Sequence, residues 1–195
     1  MRAGALAAVL AGLLLLSGCG SSTSHKKAPP HPAAQTEHFA TLGVETPARM
    51  SNGVLAARYT CKGANISPPI AWAGVSTKAK EIVILVRELV GRGDFAVNWA
   101  VAGINPTVRT LAPGALPPGA VVGRNSFGRD RYNLCPVSNV LPLVTIAVLA
   151  LPQTLNLQPG FDPTPLTQEA VQPGVQWGSV VAYSQSPSGG GPSGG

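Results

Sequence analysis

Cysteine carries the most pointed chemistry in this chain of 195 residues, which holds three: Cys19, Cys61 and Cys135. Cys19 follows Leu16-Ser17-Gly18. The small side chains at 17 and 18 would admit a signal peptidase, and the thiol at 19 would accept a diacylglycerol. Upstream, Arg2 supplies a positive charge and residues 3–16 form an apolar run too short for a comfortable membrane span. The pattern predicts a lipoprotein signal peptide at 1–18 and a mature chain that begins at acylated Cys19. It places the protein on the extracytoplasmic face of a bacterial cell membrane, anchored by lipid. An ordinary signal peptide with an incidental cysteine is the alternative. Acyl chains contribute about 0.8 kcal/mol per buried methylene, so two or three of them hold a protein firmly.

The other reactive side chains argue against catalysis. All three histidines, His25, His31 and His38, precede residue 39. Without one in the remainder, the commonest general base is missing, and so are the Ser-His-Asp and Cys-His arrangements and histidine-ligated metal sites. The carboxylates after residue 38 are Glu45, Glu81, Glu88, Asp94, Asp130, Asp162 and Glu169, and no two have a spacing that announces an acid/base pair. Gly189 to Gly191 has no strand before it and no helix after it, so it does not read as a phosphate-cradling loop. No catalytic residue, metal or cofactor is expected.

Positioning of the remaining polar groups falls to a single domain. Residues 19–38 are rich in Ser, Pro, Ala and charge with no apolar period, and read as a lipidated tether. Residues 186–195 form a Gly/Ser/Pro tail. Between them, 39–185 is long enough for one sizeable core. Arg2, Lys26, Lys27 and Glu37 lie outside it, which lowers the net charge from +6 to about +4. An exported domain of that charge is not expected to meet nucleic acid. Only Arg124, Arg129 and Arg131 cluster, as a solvated loop face or a patch for phosphate or an acidic partner.

Strand-like runs cover 54–60, 70–72, 81–90, 95–104, 142–151 and 177–184, separated by Gly, Pro and Asn. The runs 81–90 and 143–151 are nearly continuous in apolar residues, as in strands covered on both faces. Thr164 as N-cap, Pro165 at the first helical position and Pro173-Gly174 beyond predict one short helix over 165–171. Two packed antiparallel sheets are the economical arrangement, so the fold class is mostly β, a two-sheet sandwich with a short peripheral helix.

One segment is more specific than its composition. Residues 59–72 read YTCKGANISPPIAW, with a cysteine, a Gly-Ala-Asn turn, two prolines and a short strand ending in Trp72. Pro68 and Pro69 each fix φ and lack an N–H, which excludes a central strand or helix interior there. The segment resembles the YTCDG-x-N-x-SPPL-x-W stretch of bacterial phosphatidylethanolamine-binding proteins, the family that includes Raf kinase inhibitor protein. Val97-Asn98-Trp99, Asn125 to Gly128, Cys135-Pro136 and Leu149-Ala150-Leu151 follow in the family's order.

The resemblance implies a β-sandwich with a small anion pocket, and the residues here depart from that pocket. Glu88-Leu89-Val90 stands where the family has Asp-Pro-Asp-x-Pro, and Asn98 stands for a histidine before Trp99. Pro142, Leu143 and Val144 replace His, Arg and Tyr. Glu88 keeps a carboxylate, whereas Asn98 can hydrogen-bond but cannot become cationic. With the cationic donors gone, the implied ligand is a small apolar or neutral molecule or a lipid fragment. The implied site comprises Glu88, Asn98, Trp99, Tyr132, Pro142, Leu143 and Val144, with Trp72 nearby. Each has a structural alternative: Trp72 and Trp99 as core, Glu88 as an exposed strand residue, Tyr132 as a loop aromatic packed on the sheet. The resemblance also brings Cys61 and Cys135 near the pocket and implies a disulfide between them, against the alternative of two free thiols. The competing function is a protein-interaction module with a vestigial pocket and an extracytoplasmic protein partner.

Overall fold

Prolines at 68 and 69 do set the start of a strand. The computed structural model describes residues 41–91, 93–135, 142–169 and 172–184, all within one compact unit, Glu37–Gly195. Its strands are β1 (Gly43–Glu45), β2 (Ile70–Ala73), β3 (Glu81–Leu89), β4 (Phe95–Ile104), β5 (Thr110–Leu111), β6 (Val121–Val122), β7 (Leu143–Leu151) and β8 (Gln176–Tyr183). They form a small sheet, β1-β2-β5, and a large one, β6-β4-β3-β7-β8. All of these pairings are antiparallel. The expectations for 1–18, the tether to residue 38, Cys19 and the tail 186–195 lie outside the described residues.

Residues on the central strands alternate between two apolar layers. Ile82, Ile84 and Val86 of β3 pack inward with Val144, Ile146 and Val148 of β7 and with Ile70 and Trp72 of β2. Val83 and Leu85 point outward, where Leu155, Leu157, Phe161 and Leu166 of the segment after β7 cover them. This double coverage is why β3 and β7 carry nearly unbroken apolar runs. Each buried aliphatic side chain contributes roughly 1.5–3 kcal/mol.

Glu81 links the two layers. Its Oε2 accepts from the Leu155 N–H at 2.7 Å and its Oε1 from the Gly103 N–H at 2.8 Å. Gly103 has φ 74°, and a Cβ there would stand 2.9 Å from the Gly119 carbonyl oxygen. Glycine is therefore required on both conformational and spatial grounds.

Two local expectations are corrected, and three short strands were not expected. Residues 54–60 are not a strand: Val54 and Leu55 make isolated bridges, and Ala57–Tyr59 is a single 3-10 turn. Ala56, Ala57 and Arg58 have little β preference. The Thr60 hydroxyl donates to the Ala57 carbonyl at 3.0 Å and so favours the turn. The helix begins one residue later than expected, α1 (Leu166–Glu169), entered through i→i+3 bonds such as Leu166 N–H to the Pro163 carbonyl. Residues 170 and 171 lie outside the described residues. The short strands β1, β5 and β6 had no apolar run long enough to signal them.

Candidate functional site

Local hydrogen bonding brings the diagnostic segment against the loop that follows residue 131. Asn65, at φ 50°, donates through Nδ2 to Asn133 Oδ1 at 2.8 Å and accepts the Leu134 N–H on Oδ1 at 3.0 Å. The Cys61 N–H donates to the Leu134 carbonyl at 3.0 Å. Sequence reasoning missed Asn65 and Asn133 as organisers. The Gly-Ala-Asn turn was the available signal, since asparagine tolerates the left-handed region better than most residues.

Glu88 and Asn98 meet beneath that loop, and both are fully buried. Asn98 Nδ2 donates to the Asn133 carbonyl at 3.0 Å and to Glu88 Oε2 at 3.4 Å. Its Oδ1 is buried and has no hydrogen-bond partner among the described residues. Asn98 reaches Glu88 because the β3–β4 register shifts between Val86 and Arg87. Burial answers one alternative: Glu88 is not an exposed strand residue.

Trp99 and Tyr132 stand beside the pair as an edge-to-face pair, ring centroids 5.8 Å apart. The Tyr132 hydroxyl donates to the Tyr59 carbonyl at 2.7 Å, so it serves the scaffold. Burial, then the nearby Cys135 and Glu88 charges, raises the Tyr132 phenol well above its ordinary value. Trp99 and Tyr132 also line a cavity of about 250 Å³ with Ile66, Ser67, Leu116 and Arg131. Trp72 belongs to the inner core. Pro142 is buried, and its carbonyl accepts the Ser184 N–H at 3.1 Å.

Strand parity divides the last two expected site residues. Val144 pairs with both Glu88 and Ala182 and packs in the inner core. Leu143 pairs with Tyr183 and therefore projects to the outer face. Leu143 is thus separated from Glu88 by the sheet, a correction that follows from the period of two. Residues 136–141, which include Pro136 and the Asn139-Val140-Leu141 part of the compared segment, lie outside the described residues.

The implied Cys61–Cys135 bridge is absent: both cysteines are free thiols, Cys61 exposed and Cys135 half-buried. They adjoin through a mutual hydrogen bond, so the resemblance did place them together. Burial, the Cys61 hydrogen bond and the nearby Cys61 and Glu88 charges push the Cys135 thiol up to about 12.

The arginine cluster sits on a loop held by one buried side chain. Asn125 Oδ1 accepts the Phe127 and Arg129 N–H groups, each at 3.0 Å, and Nδ2 donates to the Arg131 carbonyl at 2.7 Å. Arg124 pairs with Asp130 at 3.2 Å, an exposed bridge of small energetic consequence.

A family model described as phosphatidylethanolamine-binding protein matches residues 45–182. LppC of Mycobacterium tuberculosis, designated a lipoprotein, is 30% identical over 162 residues, covering 77% of this chain and 80% of its own. The UPF0098 protein of Methanothermobacter thermautotrophicus is 33% identical over 125 residues, 61% of this chain and 82% of its own. Among solved structures, CT736 of Chlamydia trachomatis, described as a homologue in the same family, superposes with a TM-score of 0.66. It is 24% identical and covers 76% of this chain and 99% of its own, a likeness that concerns the fold alone.

Proposed function

The chain belongs to the phosphatidylethanolamine-binding protein family, and on that premise we propose that it is a lipid-anchored, extracytoplasmic binding protein. Its altered pocket takes a small neutral molecule with an apolar body, and binds without turnover. The anchor is the acyl group on Cys19, a reading supported by the lipobox-like Leu16-Ser17-Gly18-Cys19 and by the designation of the relative LppC.

One observation carries the ligand class. Asn98 Oδ1 is buried beside Glu88 and has no hydrogen-bond partner among the described residues. A desolvated carbonyl oxygen without a donor costs about 1–3 kcal/mol, and a ligand that donates an N–H or O–H would recover it. A fully deprotonated anion has no donor to offer. The positions where the family carries His and Arg hold Pro142 and Leu143. Trp99 and Val144 supply an apolar wall.

The complete burial of Glu88 and Asn98 favours a second reading, a protein-interaction module whose old pocket is closed. A thermal-shift panel separates the two, with short-chain amides, alcohols and monoacylglycerols set against inorganic phosphate and phosphoethanolamine. Stabilisation by the neutral set, lost in Asn98→Leu, supports ligand binding. Silence across the panel, with a protein recovered bound to the chain, supports the module. Metabolic labelling with palmitate in the parent and in Cys19→Ala tests the anchor, and equal labelling would remove it.

A further inference from the structure

The large sheet covers only half of its outer face. Among the described residues, two rows at one end are left largely uncovered. In the first, Tyr183 pairs with Leu143 and Leu89 with Phe95. The β3–β7 register runs to Glu88 opposite Val144, so one residue further sets Leu89 beside Leu143. The four residues thus form one row across four strands. The next row holds Val181, Thr145 and Arg87 and ends at Val97, which is buried in the covered outer cluster. The segment after β7 shields the rows beyond, around Val83, Leu85 and Leu149, but Trp177, beside Leu149 on the edge strand, stays 39% exposed on the same face. Phe95, Val181 and Tyr183 remain 44%, 40% and 41% exposed.

Polar features of this face suit a headgroup layer. Arg87 stands in the middle, its guanidinium 5.0 Å from the centre of the Phe95 ring. Its Nε is buried without a hydrogen-bond partner among the described residues, and burial lowers its pKa. Arg49 lies at the edge, donating to the Val181 carbonyl at 3.4 Å. An apolar surface with Trp and Tyr at its margin and arginines within it matches the composition of the membrane–water interface.

The entry point of the chain selects the occupant. Thr41 bridges Trp177, and the Leu42 N–H donates to the Trp177 carbonyl at 3.0 Å. The chain therefore joins the domain on the strand that edges this face. About 22 residues separate Cys19 from Thr41, and a solvated chain of that length spans roughly 25 Å. β8 from Trp177 to Tyr183 extends about 20 Å. The anchor and the open face are thus within reach of one surface.

We propose that the open outer face of the large sheet, marked by Trp177, Val181, Tyr183, Phe95 and Arg87, docks on the surface of the bilayer that holds the lipid anchor. The proposal rests on the lipid-anchored reading, and its test separates the two. Trp72 and Trp99 are each 3% exposed while Trp177 is 39% exposed, so a short-range quencher in the bilayer reads Trp177. The full lipidated chain is reconstituted into vesicles of phosphatidylcholine and phosphatidylglycerol, with and without lipid brominated near the headgroup. Flotation in the same samples reports anchoring.

Brominated lipid is expected to quench the share of emission that Trp177→Phe removes. Val181→Glu is expected to relieve at least half of that quenching while the protein still floats. Flotation without quenching overturns the docking and leaves the anchor standing. Failure to float, with Cys19 present, overturns the anchor and the docking with it. Absence of quenching together with concentration-dependent cross-links between copies assigns the face to a second copy of this chain, and also overturns the proposal.

Discussion

Substitution of Asn98 separates a residue kept for binding from one kept for stability. In Asn98→Leu the chain loses the bond to the Asn133 carbonyl at 3.0 Å and the longer contact to Glu88 at 3.4 Å. Loss of its donor costs the Asn133 carbonyl about 1–3 kcal/mol and loss of the longer contact costs about 1 kcal/mol, while removing the unpartnered Oδ1 returns about 1–3 kcal/mol. The balance centres on a loss of about 1 kcal/mol, a melting shift of roughly 2–4 °C for a domain of this size. Asn98→Asp keeps the shape and sets a second carboxylate against Glu88. One of the two must then take up a proton. That group's folded pKa rises above the unfolded value of about 4. Its contribution is fully present below the unfolded pKa and is lost as pH rises through the folded one. A rise of two units corresponds to about 3 kcal/mol. Asn98→Asp is therefore expected to melt near the parent at about pH 3 and roughly 6–12 °C below it at about pH 8. Thermal and urea unfolding at both pH values provide the assay. A loss above about 3 kcal/mol in Asn98→Leu, or an Asn98→Asp profile parallel to the parent, would refute the reasoning.

Further substitutions probe the scaffold and the thiols. Asn125→Ala removes three hydrogen bonds from the 124–131 loop and is expected to cost about 3 kcal/mol in urea unfolding; a change below about 1 kcal/mol would show that the loop holds itself. Gly178→Ala would place a Cβ 2.0 Å from the Leu42 carbonyl oxygen, so a loss of about 3 kcal/mol or more is expected, and an unchanged denaturation midpoint would contradict the close approach. With its thiol pushed up to about 12, Cys135 is expected to react with iodoacetamide far more slowly at pH 8 than exposed Cys61, and equal labelling in a time course by mass spectrometry would count against the burial. The same shift predicts that stability falls as pH rises from about 9 toward 12, because the unfolded thiol ionises first; a flatter profile between about 9 and 10 in Cys135→Ala is the check, with the buried Tyr132 phenol still contributing above that range.

Strand identity was legible where burial is two-sided. The runs at 81–90 and 143–151 announced β3 and β7 because both faces are covered, and Pro68-Pro69 announced the start of β2. Residues 54–60 misled because a run of Val, Leu and Ala resembles a strand until the Thr60 hydroxyl closes a turn. At the site, Glu88, Asn98 and Val144 come together on the inner side of the large sheet, all fully buried. Leu143 did not follow, since resemblance compares positions along a chain while alternation decides which face a side chain takes. Asn133 and Asn65 were illegible because their roles depend on contacts 68 residues apart. The free thiols lie side by side, yet adjacency in space does not by itself make a bond.

The alternation that misplaced Leu143 also divides labour along β3. Glu88 faces inward to Asn98, while Arg87 and Leu89, its immediate neighbours, face the open outer surface. Three consecutive residues thus serve a buried polar pair on one side and a headgroup-like surface on the other, with the sheet between them. Rigid packing of the inner layer keeps the two from mixing, because a slip of one residue would bury Arg87 and expose Glu88 together. The β3–β4 register shift between Val86 and Arg87 falls next to this trio. It turns Asn98 toward Glu88 while leaving Val97 on the outer side with Arg87. A regular ladder continued from Val86 opposite Trp99 would set Val97 inward opposite Glu88 and turn Asn98 outward beside Arg87, so the irregularity is what builds the polar pair.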